Sequence, residues 1–348
     1  MAADIDRVAA SELGDLLPLV RAGERLTRGD CMRLWRTDDL TSLGVLANHA
    51  RERASGNRTQ YHCAVHINYT GNPVPACPEC TAVSAARHSK VSPAELAGLL
   101  EGIDGARIHE LHLTGGPDLE MGVDGLCRMM ERASAACPAL SIRAFTWQEL
   151  ECAAAIEGRT PSRTLPSLVD AGLTSIAGGA LVDLSPSVFH LGPESIHKME
   201  ARMPWIQAAA DLGLKSDLSW IIGDGDDPEV LTDMLVCIRG IQDHWAVFES
   251  FAPLAFQWPP EALELPMPTG YNHLRAVAIG RLFLDNIPRI RSAPFAVSEP
   301  LAQVAQWYGA DDAGSACAPR DSRWSTPGIG VDRLLKLLQE SGRDPVGL

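Results

Sequence analysis

The sequence predicts an α/β protein of the (β/α) TIM-barrel type, carrying an N-terminal helical segment and a C-terminal helical extension. Three observations predict it. Apolar strand-like runs near 61–70, 108–114, 140–146, 174–178, 214–222, 247–256 and 288–294 alternate with amphipathic patterns near 93–103, 122–136, 147–157, 195–212, 228–243 and 270–285. Continuously apolar strands separated by helices imply a parallel sheet covered on both faces. The length of 348 residues is long for one average domain yet suits a barrel of roughly 250 residues with short extensions. Finally, the chemistry-bearing residues follow strand C-terminal ends, where open sheets and barrels hold ligands.

Taken in order, residues 1–58 read as helical: LGVLANHARERA has helical apolar spacing, with Thr41 or Ser42 as N-cap. The barrel core is expected over 59–296. The extension, 297–348, holds helices at 299–308 and 331–341 around a loop at 311–328 rich in small and polar residues. Composition is that of an ordinary globular protein, 46% hydrophobic and 21% charged. A net charge of −14 argues against nucleic acid and anionic membranes as main partners. No apolar run approaches a membrane span, and Asp4, Asp6 and Glu12 occupy the place of a signal peptide's basic and apolar regions. A cytoplasmic location is expected. Nine scattered cysteines are not a disulfide framework.

Tyr61 to Cys80 organises the rest. Alternation along a strand puts Cys63, Val65, Ile67 and Tyr69 on one face and His62, His66, Asn68 and Thr70 on the other. Just beyond lie Cys77 and Cys80, whose spacing suits zinc or part of an iron-sulfur cluster. His66 or His88 could complete a zinc site, although nothing in the sequence sets either at bonding distance. Polar residues expected to face the lumen are His66, Asn68, Glu110, His112, Arg143, Asp217, Ser219 and Glu249; buried ionisable groups must pair with one another or with a ligand. Asp224 to Asp227 reads as a solvated turn ahead of a helix.

HINYT at 66–70, HLTGG at 112–116, IRAFT at 142–146, FAPLAF at 251–256, LDNIPRI at 284–290 and LAQVAQWYGADD at 301–312 occur in that order. Together they resemble aminofutalosine synthase, a radical S-adenosylmethionine (SAM) enzyme of the futalosine route to menaquinone, over nearly the whole chain. The resemblance implies a radical SAM-like barrel. It also implies a SAM-binding turn at Thr114, Gly115, Gly116 and Pro117, and cluster ligands with the spacing Cys-x3-Cys-x2-Cys. Cys77 and Cys80 fit the last two positions, whereas the first falls on Pro73, which has no donor atom.

Other departures line the same mouth. Glu79 replaces an aromatic residue of the family, Ala177 to Val182 lack its acidic residue, and Asp224 and Gln257 stand where it has histidines. The sequence therefore suggests a homologue that has lost radical SAM chemistry: a cluster-free partner, a ligand-binding protein or a repurposed enzyme, with no cofactor. The alternative is an active radical SAM enzyme with SAM and a four-iron, four-sulfur cluster on a non-standard third ligand, adding the 5′-deoxyadenosyl radical to an enolpyruvyl benzoate. His66, Asn68, His112, Arg143, Asp217, Ser219 and Glu249 are the pocket candidates. A small aromatic carboxylate or nucleoside-like ligand suits them, and an intact radical SAM homologue is a possible protein partner.

Overall fold

The computed structural model describes residues 2–70, 90–101, 103, 108–179, 199–222, 227–255, 268–294, 296–317 and 329–348. Four helices come first: α1 (Ala2–Ala9), α2 (Leu16–Ala22), α3 (Arg28–Arg36) and α4 (Leu40–Ser55). The N-cap of α4 is Asp39, which accepts from the Ser42 amide at 3.0 Å, so the helix starts earlier than Thr41 and Ser42 suggest.

The remaining elements are β1 (Arg58–Asn68), α5 (Pro93–Leu100), β2 (Glu110–Thr114), α6 (Val123–Ala136), β3 (Ser141–Thr146), α7 (Trp147–Glu157), α8 (Pro161–Asp170), β4 (Ser175–Gly178), α9 (Met203–Asp211), β5 (Lys215–Ile222), α10 (Pro228–Trp245), β6 (Phe248–Ala255), α11 (Gly270–Phe283), β7 (Arg289–Ile290), α12 (Glu299–Ala305), β8 (Asp312–Cys317), α13 (Val331–Glu340) and β9 (Asp344–Gly347). Reciprocal capping boxes at Ser92/Glu95 and Thr146/Glu149 fix the starts of α5 and α7.

The strands pair in parallel in the order β7-β6-β5-β4-β3-β2-β1-β8. A parallel bridge between Arg291 and Asp312, with Asp311 N–H donating to the Ile290 carbonyl at 3.0 Å, brings β7 against β8 and nearly closes an eight-stranded barrel. β9 pairs with β1 at its N-terminal end. Outward-facing Ile67, Leu113, Ile142, Ile176 and Leu218 are buried beneath the helices, which explains why these strands read as apolar. Trp35 of α3 meets Trp220 of β5 edge-on at 5.9 Å, seating the N-terminal helices on this core.

Three elements differ from expectation. β8 lies in the stretch read as loop: DAGSAC has no β-branched or aromatic side chain, so only its neighbours make it a strand. α8 carries Pro166 inside it as well as Pro161 at its start, which masks it locally. β9 is four residues long and exists through its register with Arg58 to Tyr61.

Candidate functional site

The lumen has two levels. Toward the N-terminal ends of the strands lies an ion-pair network; above it, the C-terminal ends of β1 to β4 form a mouth.

The lower level is set by register. Parallel pairing aligns His66 with His112 and His112 with Arg143 on adjacent strands, so their side chains share one layer of the lumen. Arg143 Nε reaches Glu110 Oε1 at 3.1 Å, Nη1 lies 3.3 Å from Asp217 Oδ2, and Nη2 reaches Glu249 Oε2 at 3.2 Å. Arg291 holds Asp217 at 2.6 Å and Asp312 at 2.9 Å, Arg289 holds Glu249 at 3.4 Å, and Ser250 Oγ donates to Asp217 at 2.6 Å. Glu110 Oε2 also faces two imidazoles, His112 Nε2 at 2.5 Å and His62 Nδ1 at 3.6 Å. His66 packs edge-on against His112, ring centres 4.2 Å apart.

Burial alone would raise the carboxyls of Glu110 and Asp217, but the facing cations more than offset it and hold both well below the ordinary carboxylate range. Burial, reinforced by His112, pushes His66 well below its usual value, and burial lowers His62. Arg143 is thus neutralised by the protein's own carboxylates.

The sequence reading named Glu110, His112, Arg143, Asp217 and Glu249, and the structure brings these five together. It set His62 on the same face of β1 as His66, and it missed Ser250, Arg289, Arg291 and Asp312. The signal was Arg289-Ile290-Arg291: alternation turns both arginines to the same side, where buried cations require carboxylates.

The mouth is built from backbone. Asn68 and Thr70 are buried at the end of β1, and Asn68 Oδ1 accepts from the Thr70 amide at 3.1 Å. Beside them Thr114 leads into Gly115 and Gly116, both buried, while Pro117 is exposed. A Cβ on Gly115 would lie 2.6 Å from Thr70 Oγ1, and Gly116 has φ of 140°, so glycine is required at both. The two amides converge on Glu149 Oε1, at 3.0 Å from Gly115 and 3.3 Å from Gly116. C=O and N–H of one peptide point oppositely, so the Gly115 carbonyl faces away from Glu149. Gly178 and Gly179 turn the end of β4 with positive φ, and Gly179 O accepts from Ser219 N at 3.2 Å.

Pro73, Cys77, Cys80, Glu79, His88, Asp224 and Gln257 lie outside the described residues. Among the described residues no group of three His, Cys, Asp or Glu side chains is placed to hold a metal ion. Likewise, no described helix is long and apolar enough to cross a membrane.

These features define a (β/α) barrel with a glycine turn at the mouth of β2 and a neutralised polar plug beneath it. No family model matches the chain. Solved structures share the fold: a methylornithine synthase superposes with a TM-score of 0.68 at 16% identity, covering 95% of this chain and 97% of its own. An FeFe-hydrogenase maturase from Carboxydothermus hydrogenoformans gives 0.69 at 13% identity, covering 99% and 81%.

Sequence relatives are more specific. Aminodeoxyfutalosine synthase of Streptomyces coelicolor is 27% identical over 94% of this chain and 90% of its own length. That of Thermus thermophilus is 27% identical over 95% and 93%, and cyclic dehypoxanthine futalosine synthase of Halalkalibacterium halodurans is 24% identical over 93% and 90%. The chain is a homologue of the futalosine synthases. This relationship overturns the expectation that the protein has no cofactor: the likeness to these synthases, which the sequence resemblance gives as radical SAM enzymes, covers 94% and 93% of the chain in two of them.

Proposed function

We propose that the barrel binds SAM at its C-terminal mouth and uses it, as the resemblance to aminofutalosine synthase implies, to transfer a 5′-deoxyadenosyl group to the enolpyruvyl ether of an aromatic carboxylate. The observation that carries this reading is the glycine turn at the end of β2, with a carbonyl at Gly115 free of the Glu149 contact and no side chain to block a ligand. That carbonyl would accept from the ammonium of SAM, and the buried Asn68 and Thr70 beside it would border the same ligand. SAM with a reduced cluster supplies the radical. Cys77 and Cys80 would give two of the three thiolates and Pro73 gives none, so the third donor is another group, such as an added thiol.

Pro73 favours a second reading, in which SAM is bound but the radical step is lost and the protein serves as a partner of an intact homologue. The test is anaerobic reconstitution with iron and sulfide, followed by SAM titration and a 5′-deoxyadenosine assay under strong reductant. SAM binding with 5′-deoxyadenosine formation supports the first reading. SAM binding without it supports the second, and no SAM binding at millimolar concentration overturns both.

A further inference from the structure

We infer that Glu149 is a positioning residue for SAM, holding and polarising the Gly115–Gly116 turn from behind; this rests on the SAM-binding reading above. Glu149 is 2% exposed and its two carboxylate oxygens have divided roles. Oε2 accepts from the Thr146 amide and hydroxyl, both at 2.7 Å, closing the capping box of α7. Oε1 accepts from the amides of Gly115 and Gly116, which lie in the turn beyond β2. A capping box needs only one oxygen. The second ties the β2 turn to the start of α7 and satisfies two amides that would otherwise be buried without a partner.

The consequence is electrostatic as well as mechanical. An anion that accepts from the Gly116 N–H draws electron density through that peptide onto the Gly115 carbonyl, since linked hydrogen bonds in a low-dielectric interior strengthen one another. The carbonyl becomes a better acceptor for a cation on its far side. SAM carries two cationic centres, an ammonium and a sulfonium, and a buried carboxylate behind the turn complements both in sign. The neighbouring Tyr69 phenol is pushed well above its ordinary value by burial first and by Glu149 next.

Glu149→Gln cannot serve both sides, because one end of the amide would present N–H groups to backbone N–H groups. Thr146→Ala breaks the capping box while keeping Oε1 on the glycine amides, and so controls for loss of the helix start. Calorimetric titration of each variant with SAM, beside unliganded melting curves, separates the roles. Expected is a SAM Kd raised about tenfold or more in E149Q, the scale of one lost charge-assisted hydrogen bond, and a Kd within about twofold of wild type in T146A despite a lowered Tm. An unchanged Kd in E149Q, with wild type binding SAM, overturns the inference, as does an equal loss in T146A. Absence of SAM binding by wild type instead defeats the reading on which it rests.

Discussion

Arg143 on β3 and Glu249 on β6 meet across the lumen, Nη2 to Oε2 at 3.2 Å, although two strands separate theirs in the sheet. One guanidinium thereby joins β2, β3, β5 and β6 through Glu110, Asp217 and Glu249. Removing it leaves buried carboxylates short of a cation. Arg143→Met is expected to lower unfolding free energy by about 3–5 kcal/mol, read from urea melts at neutral pH. The deficit should shrink in acid as the carboxylates protonate. A loss below about 1 kcal/mol would mean that Arg289 and Arg291 carry the network without it.

The pH profile of stability has a definite sign. His62 and His66 have depressed folded-state values, and burial lowers His273 to about 4. An unfolded histidine takes its proton near 6.5, so their contribution is whole above roughly pH 6.5 and is lost as pH falls toward the folded values. Glu110, Asp217 and Asp312 are held below the carboxylate range, so their contribution is whole above roughly pH 4 and is lost on further acidification. Tm should be level above about pH 7, decline below about 6.5, and fall faster below about 4. His273→Gln, which can still bond Ser292, should flatten the upper decline. A Tm constant from pH 7 to 5 contradicts the assignment.

Backbone at the mouth should tolerate little. A Cβ on Gly178 would lie 2.0 Å from the Asp217 carbonyl oxygen at φ of +89°, so Gly178→Val should yield little folded protein. Gly116→Ala meets strain from φ of 140° and should cost about 1–3 kcal/mol as well as SAM affinity. A G116A protein with wild-type Tm would show that the turn can rearrange.

Restoring a thiolate is the sharpest probe of the cluster. Pro73→Cys should raise iron and sulfide retained after reconstitution and desalting, whereas the double substitution Cys77→Ser, Cys80→Ser should remove both. Equal iron in P73C and wild type would show that position 73 faces away from the metal.

How far the sequence reaches can be judged from particular residues. Apolar periodicity and helix signals were enough to determine the alternation of strands and helices and the barrel it implies, because burial on both faces of a parallel sheet writes itself into local composition. The ordered words determined the relationship to the futalosine synthases, and alternation along β1 and β2 pointed His66, Asn68 and His112 inward. What only the tertiary structure decided is who meets whom. DAGSAC becomes β8 through its neighbours alone, Arg289, Arg291 and Asp312 find their lumen partners only once β7 and β8 come together, and Arg143 proves to be neutralised by the chain itself. Glu149 was not singled out by the sequence reading, and both its place in the Thr146-x-x-Glu149 capping box and its second oxygen on the Gly115–Gly116 turn come from the structure. Local propensity depends on near neighbours, whereas barrel closure and register pair residues from opposite ends of the chain, as Gln60 of β1 with Asp312 of β8 and Arg58 with Asp344 of β9, and no local pattern encodes them.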